Sequence, residues 1–191
     1  MLQQHDQNKL DMEKEKVILV DADDNELGLM EKMEAHRKGL LHRAFSIFIF
    51  NSKGEILLQK RASEKYHSGG LWSNTCCSHP RKGESTLEAA NRRLNEEMGM
   101  KANLEHAFYF KYKASLDLGL IEHELDHVFI GYSNELPLIN PEEVESYCYV
   151  SPELLEIGLE KHKTEYTEWL KICYNQLINY QNKNLSYEKV S

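Results

Sequence analysis

Glutamates and histidines that could transfer protons or bind a metal ion alternate in one short segment, residues 121–129, which reads IEHELDHVF. On a helix, His123 and His127 would share a face with Glu124 beside them, as in zinc proteases. On a strand, the three carboxylates would share one face and both histidines the other. The β-like run that follows, residues 128–132, favours the strand. We therefore expect neighbouring carboxylates on one surface.

Two adjacent cysteines, Cys76 and Cys77, lie just before His79 in a predicted loop, residues 62–82. A thiol beside an imidazole in a loop rich in Gly, Asn and Pro is typical of a reactive cysteine. The alternative is a cysteine packed in the core. Four cysteines in a chain of 191 residues do not predict a disulfide framework.

A third group of charged residues lies on a predicted helix, Thr86 to Met98, which Ser85 caps and Gly99 ends. Near its end, an acidic pair follows an arginine pair by one turn. Glu97 could then hold a divalent cation while an arginine binds phosphate oxygens. The alternative is an exposed charged face with ion pairs between residues four apart.

This helix and the residues before it resemble the Nudix box. The matching positions are Glu84, Arg92, Glu96, Glu97 and Gly99. Two positions depart from the family pattern, because Ser78 replaces a glycine and Arg93 replaces a glutamate. That glutamate helps to assemble the hydrolytic metal cluster of the family. The departures therefore argue against pyrophosphohydrolase activity and leave the fold expectation intact.

The segment WSNTCCSHP, residues 72–80, is more specific and resembles the active-site segment of type I isopentenyl-diphosphate isomerases. Further matches extend the resemblance over nearly the whole chain. It implies that Cys77 is catalytic on one face of the substrate and Glu124 on the other. It also implies that Tyr112 helps to relay or orient the proton.

The same resemblance implies two metal sites and a site for the diphosphate. The implied ligands of the first metal are His36, His42, His79, Glu122 and Glu124. A magnesium ion would bind Glu97, the carbonyl oxygen of Cys77 and the substrate diphosphate. The implied substrate-binding residues are Lys32, Arg61, Lys65, Arg93 and Trp169. Trp169 has a competing interpretation as a core residue, and the nitrogen and oxygen donors of the first site suit zinc, manganese or magnesium.

The implied reaction converts isopentenyl diphosphate to dimethylallyl diphosphate, in isoprenoid biosynthesis, through a carbocation-like intermediate. Three alternatives stay open at this point. They are a Nudix pyrophosphohydrolase acting on a nucleoside or prenyl diphosphate, a non-catalytic binding protein with a degenerate Nudix fold, and a zinc protease. A binding protein needs no acid and base pair, which argues against the second.

These residues need a framework of strands and helices that brings them together. Strands are predicted near residues 17–20, 44–50, 55–60, 106–113, 122–132 and 147–150, with a hairpin turn at 51–54. Helices are predicted at residues 86–98, from Ser151 onwards and at 164–180. Because strands and helices do not alternate regularly, the predicted fold class is α+β, a Nudix-like mixed β-sheet flanked by helices.

The bulk properties exclude several classes of protein. A formal net charge of −8 over 191 residues argues against a nucleic-acid surface. No run approaches the roughly 20 apolar residues of a membrane span, and we expect a cytoplasmic protein. Residues 1–16 are predicted to form a flexible tail, and residues 17–191 a single Nudix-like catalytic domain. The expected partner is a small prenyl diphosphate.

Overall fold

The computed structural model describes residues 15–188. Within that range the nine strands are β1 (Lys16–Val20), β2 (Glu26–Glu31), β3 (His42–Phe50), β4 (Ile56–Arg61), β5 (Trp72–Ser73), β6 (Cys76–Ser78), β7 (Glu105–Ser115), β8 (Ile121–Tyr132) and β9 (Val144–Val150). The α-helices of the same range are α1 (Lys32–Lys38), α2 (Thr86–Met98), α3 (Pro152–Lys161) and α4 (Glu168–Glu188). Residues 1–14, most of the predicted flexible tail, lie outside the described residues.

Strand β3 lies at the centre of a mixed β-sheet flanked by helices, which confirms the predicted fold class. It runs parallel to β8, with His42 opposite Glu124, and antiparallel to the short β6, with Ser46 opposite Cys77. β8 also pairs with the long antiparallel β7, while β4 pairs with β5 and β9. These pairings place His42, Cys77 and Glu124, which are far apart in the sequence, on adjoining strands.

Strand β3 is apolar along nearly its whole length because both of its faces are covered. Phe45, Ile47 and Ile49 belong to a core that includes the inner face of α2. Phe48 and Phe50 point the other way, into a core built with α3 and α4. Since the two cores share one strand, the described residues form one folded unit.

Helix α2 begins and ends where the sequence predicts. The Ser85 hydroxyl accepts a hydrogen bond from the Glu88 backbone N–H, and the Glu88 carboxylate accepts one from the Ser85 backbone N–H. Gly99 ends the helix with φ 61°, and a Cβ there would collide with the carbonyl oxygen of Leu138. Only glycine fits this turn, so the last turn of the helix, which carries Glu97, has a defined position.

Two elements of the N-terminal part, β2 and α1, are missing from the sequence prediction. Two further differences are β5 and β6, which lie inside a segment predicted to be a loop. β5 forms because it pairs with β4, and β6 because residues 76–78 pair with β3. The turn after β3 does join antiparallel neighbours as predicted, but β3 and β4 pair only between Phe50 and Ile56.

The last helix starts at Glu168, later than the predicted residue 164. Tyr166 forms a β-bridge with Trp72, and the Thr167 N–H donates to the carbonyl oxygen of Trp72 at 3.0 Å. This pairing holds the chain extended just before the helix. Across residues 15–188, no helix has both the length and the apolar character that crossing a membrane requires.

Candidate active site

The segment 121–129 is a strand, so the side chains of Glu122, Glu124 and Asp126 share one face of the sheet. All three carboxylates are buried. The strand pairs on both sides, with β3 and with β7, which holds these carboxylates in a defined register. The alternation expected from the sequence is confirmed.

The two histidines of this strand lie on its other face and contact groups far from the carboxylates. His123 Nδ1 lies 2.9 Å from the carbonyl oxygen of Gly39. His127 Nε2 lies 2.9 Å from Asp24 Oδ2. A zinc-protease site requires a helix that presents both histidines to one ion. That interpretation is wrong for this chain.

Three buried histidines surround the carboxylate of Glu124. One donor atom from each of His36, His42, His79 and Glu124 lies within 4.8 Å of all the others. Glu124 Oε1 lies 2.9 Å from His79 Nε2 and 3.5 Å from His42 Nε2. The four residues come from α1, the start of β3, the residue after β6, and β8. Four of the five predicted ligands of the first metal therefore meet at one point.

The ring nitrogens of two of these histidines are arranged for binding a metal. His36 Nδ1 lies 2.6 Å from the carbonyl oxygen of Lys32, and His42 Nδ1 lies 2.8 Å from that of Leu40. A nitrogen so placed carries the proton, which leaves Nε2 with a lone pair. Among the described residues, both Nε2 atoms are buried without a hydrogen-bond partner. Burial lowers the pKa of His36 to about 3, so its ring is neutral, as a metal ligand must be. This donor set fits a divalent cation.

Glu122, the fifth predicted ligand, lies beside these four residues and has other neighbours. Together with His36 and His67 it forms a second set of donor atoms within 4.8 Å of one another. His67 Nε2 lies 3.7 Å from Glu122 Oε1. His36 has only one nitrogen with a free lone pair, so it can bind only one ion. That ion is held either by one of the two sets of donor atoms or by a single site that combines both sets.

Tyr112 connects the two glutamates. Its hydroxyl lies 2.6 Å from Glu124 Oε2 and 3.0 Å from Glu122 Oε2. Burial and the two carboxylates raise the pKa of Tyr112 well above its ordinary value, so the phenol stays protonated. Burial and the charge of Glu124 likewise raise the pKa of Glu122. Burial opposes ionisation of Glu124 too, but the neighbouring imidazoles of His42 and His79 outweigh it and hold its pKa well below the usual range.

The two adjacent cysteines differ in environment because they alternate along β6. Cys76 is fully buried in the core beside α2. Cys77 is half-buried and lines the same pocket as Glu124. Burial raises the pKa of the Cys77 thiol to about 12, against an opposing effect of Arg61. Cys77 is therefore a protonated thiol that faces the pocket.

Every residue that the sequence predicts to be catalytic or substrate-binding lines one pocket. Its lining includes Lys32, Arg61, Lys65, Cys77, Arg93, Tyr112, Glu124 and Trp169. Glu97, Glu122 and His79 line it as well. His36 and His42 lie behind this surface, in contact with it through Glu124 and His79.

Arg93, which replaces the Nudix glutamate, is bound by carboxylates of its own helix. Its guanidinium donates to Glu97 at 2.6 Å and to Glu96 at 3.0 Å. Glu97 is buried and also accepts a hydrogen bond from Gln59 Nε2 at 3.0 Å. Lys32 Nζ lies 3.0 Å from Glu15 Oε2. Three of the four predicted phosphate-binding side chains, Lys32, Lys65 and Arg93, are thus already paired with protein carboxylates.

Trp169 is both a buried residue and part of the pocket wall, so its two competing interpretations are compatible. It is 3% exposed, and its Nε1–H donates to Ser73 Oγ at 2.8 Å. The Arg61 guanidinium carbon lies 5.0 Å from the centre of its ring. The His67 ring stands edge-on to it at 5.8 Å.

Three ionisable residues that line the pocket are absent from the sequence prediction: Tyr66, His67 and Glu143. Tyr66 and His67 lie in the loop that also holds Lys65. A tyrosine and a histidine shortly before two glycines are the sequence signal that could have indicated them. Glu143 follows an asparagine-proline turn and has no local pattern that marks it. The antiparallel pairing of β4 with β9 and backbone hydrogen bonds of the turn before β9 bring it to the pocket.

Comparisons with known proteins agree with this geometry. A family model described as NUDIX domain matches residues 40–170. The chain is similar to the isopentenyl-diphosphate Delta-isomerase of Pectobacterium atrosepticum, with 52% identity over 164 residues, which cover 86% of this chain and 92% of that protein. It is also similar to isopentenyl-diphosphate Delta-isomerase 2 of Aromatoleum aromaticum, with 48% identity over 89% of this chain and 90% of that protein.

Solved structures with lower identity support the fold. A crystal structure of a Deinococcus radiodurans protein superposes with a TM-score of 0.72 at 18% identity, covering 85% of this chain and 98% of that one. A MutT protein from Methanosarcina mazei gives a TM-score of 0.61 at 20% identity, covering 75% of this chain and 95% of that one. With the fold, the family model and these relatives in agreement, the chain belongs to the isopentenyl-diphosphate Delta-isomerases of the NUDIX family.

Proposed function

We propose that this protein interconverts isopentenyl diphosphate and dimethylallyl diphosphate. The observation that carries the proposal is that a thiol and a carboxylate, those of Cys77 and Glu124, line one pocket together with a cluster of cations. The names of the relatives that match most of the chain support the same reaction. We further propose that residues 17–191 act as one catalytic domain, since the two cores share β3.

Moving the double bond requires a proton on the terminal alkene carbon and the loss of another from the neighbouring methylene. In our proposal Cys77 serves one carbon and Glu124 the other. Because the reaction is reversible, each group donates in one direction and accepts in the other. Tyr112, which is protonated and lies 2.6 Å from Glu124 Oε2, orients the carboxylate and relays its proton. Such acid and base groups contribute about 10²–10⁴-fold each.

The positive charge that develops on the tertiary carbon needs a wall rich in electrons and free of water. Trp169 fits this role because it is buried and its indole lines the pocket. A desolvated indole face stabilises a cation by about 2 kcal/mol. The hydrogen bond from its Nε1 to Ser73 Oγ holds the ring in one orientation.

The donor atoms divide between two proposed metal positions. A divalent ion at His36, His42, His79 and Glu124, with Glu122 beside it, would fix Glu124 and tune its basicity, and Mg²⁺ at Glu97 and the Cys77 carbonyl oxygen would neutralise the diphosphate. The mixed nitrogen and oxygen set suits Zn²⁺, Mn²⁺ or Mg²⁺ at the first position. Lys32, Arg61, Lys65 and Arg93 would bind the phosphate oxygens.

The proposal is tested by incubating the purified protein with isopentenyl diphosphate and Mg²⁺ while dimethylallyl diphosphate and free phosphate are measured together. We expect dimethylallyl diphosphate to form without release of phosphate or pyrophosphate. Arg93 replaces the glutamate of the Nudix pattern, and its guanidinium forms ion pairs with Glu96 and Glu97, which supports this expectation. Phosphate or pyrophosphate released in proportion to the substrate consumed would show a hydrolase instead.

A further inference from the structure

Glu143 is a carboxylate among the cations that line the pocket, and the proposed reaction has no use for it. Its Oε2 forms an ion pair with Lys65 Nζ and another, at 3.3 Å, with Arg93 Nη2. Arg93 in turn donates to Glu97 at 2.6 Å through the same nitrogen. One glutamate outside the Nudix-like helix thus engages two of the four cations that we assign to the diphosphate.

The position of Glu143 is set by the backbone around it. The Ala62 N–H donates to its carbonyl oxygen at 2.9 Å, and its own N–H donates to the carbonyl oxygen of Asn140 at 3.0 Å. The Asn140 N–H donates to the carbonyl oxygen of Glu97 at 2.8 Å. The turn that carries Glu143 is therefore attached to the end of α2, and its carboxylate is part of the built site.

We propose that Glu143 makes the pocket selective for metal-complexed diphosphate over free diphosphate. This inference rests on the proposed function, because it assumes that Lys65 and Arg93 bind phosphate oxygens. A free diphosphate that enters the pocket must displace Glu143 from both cations and approach its negative charge. A diphosphate that carries Mg²⁺ brings positive charge with it, and the Glu143 carboxylate then attracts the complex.

Glu143 thereby couples the two ligands of the pocket. It weakens the binding of diphosphate alone and strengthens the effect of Mg²⁺ on that binding. Such coupling is reciprocal, so the same residue raises the affinity for Mg²⁺ that diphosphate confers. The consequence for specificity is that free pyrophosphate and other uncomplexed polyanions compete poorly for the site.

The test is calorimetric titration of the full-length protein with inorganic pyrophosphate, in Mg²⁺ and in a chelator, for the wild type and Glu143→Gln. Glutamine keeps the shape of the side chain and removes its charge. We expect metal-free pyrophosphate to bind the variant about tenfold more tightly than the wild type, an effect between that of one charge pair in bulk water and that of one near a protein surface. The enhancement by Mg²⁺ should shrink by a similar factor.

Glu145→Gln is the matched control. Glu145 lies two residues further along the chain, on β9, and pairs with Lys60 Nζ at 2.8 Å, and neither Glu145 nor Lys60 lines the pocket. This variant should titrate like the wild type in both conditions, and circular dichroism should show both variants folded. Unchanged or weaker binding of metal-free pyrophosphate by Glu143→Gln would overturn the inference and leave the proposed function standing. A wild-type protein that binds no pyrophosphate even with Mg²⁺ would overturn both.

Discussion

The two ends of the pocket hold their charges in different ways. At the end formed by β8 and α1, the Nε2 atoms of His36 and His42 are buried and, within the described residues, have no hydrogen-bond partner. At the end formed by α2 and the turn before β9, Arg93 and Lys65 are paired with Glu97 and Glu143. A cation at the first end would give the histidine nitrogens a partner, whereas at the second end the protein's own carboxylates neutralise the positive charges.

This difference separates two ways of binding a charged ligand. Donor atoms that lack partners gain from an ion without giving up contacts. Cations that are already paired must exchange one carboxylate for a phosphate, so their net gain is smaller and depends on accompanying metal. We therefore expect changes at the histidine end to act on chemistry and metal content, and changes at the cation end to act on substrate recognition.

The largest effect should come from the acid and base. Cys77→Ala and Glu124→Gln should each lower kcat by about 10²–10⁴-fold or more, because each removes one proton-transferring group. Cys76→Ala is the control, since its thiol is buried beside α2 and does not face the pocket. It should retain most activity. Steady-state rates with isopentenyl diphosphate decide, and loss of activity confined to Cys76→Ala would reverse the assignment of the two cysteines.

Metal content sharpens the contrast between the two faces of β8. His79→Ala should lower metal affinity sharply, by more than the ~10–100-fold that loss of an outer-shell partner causes. Glu122→Ala should also lower it, since Glu122 adjoins the same donors. His123→Ala and His127→Ala should retain metal like the wild type, because these rings contact Gly39 and Asp24. Mass spectrometry after dialysis measures the bound metal, and metal lost only from the His123 and His127 variants would contradict the strand register.

Trp169 lies where the two ends meet, with Arg61 over its ring. Trp169→Phe should keep more activity than Trp169→Ala, by about tenfold, because a phenyl ring retains part of the cation-stabilising surface. Both variants lose the hydrogen bond to Ser73 Oγ, so that loss is common to them. Comparison of kcat for the two variants provides the measurement. Equal values would mean that Trp169 serves only to pack α4.

The smallest effect concerns pH and the partly buried imidazole of His127, which has Asp24 as its carboxylate partner. Burial lowers the pKa of His127 despite its contact with Asp24. The unfolded chain therefore binds a proton that the folded chain does not, and the stability due to neutral His127 is lost as the pH falls below about 6.5. His127→Asn should remove this contribution. Urea unfolding at about pH 7.5 and about pH 5 should show a smaller acid-induced loss in the variant, and an equal loss would contradict the burial of this ring.

Local signals in the sequence were sufficient for some parts of the fold and insufficient for others. Helix α2 follows from Ser85 and Gly99, and the face of β8 follows from alternation, because both depend on neighbouring residues. The resemblance to a family, rather than spacing, singled out His36 and His42. Glu143 could not be found, since its place in the pocket arises from strand pairing and from hydrogen bonds to the end of α2.

The parallel pairing of β3 with β8 means that metal binding reports whether these two strands have paired in the native register. His42 lies directly opposite Glu124, and a slip of β8 by one residue would turn the glutamate to the other side of the sheet. A chain that refolds with native secondary structure but misaligned strands would then fail to take up the ion. Recovery of metal uptake after dilution from denaturant should therefore follow the assembly of the long-range sheet and lag behind the return of helix signal.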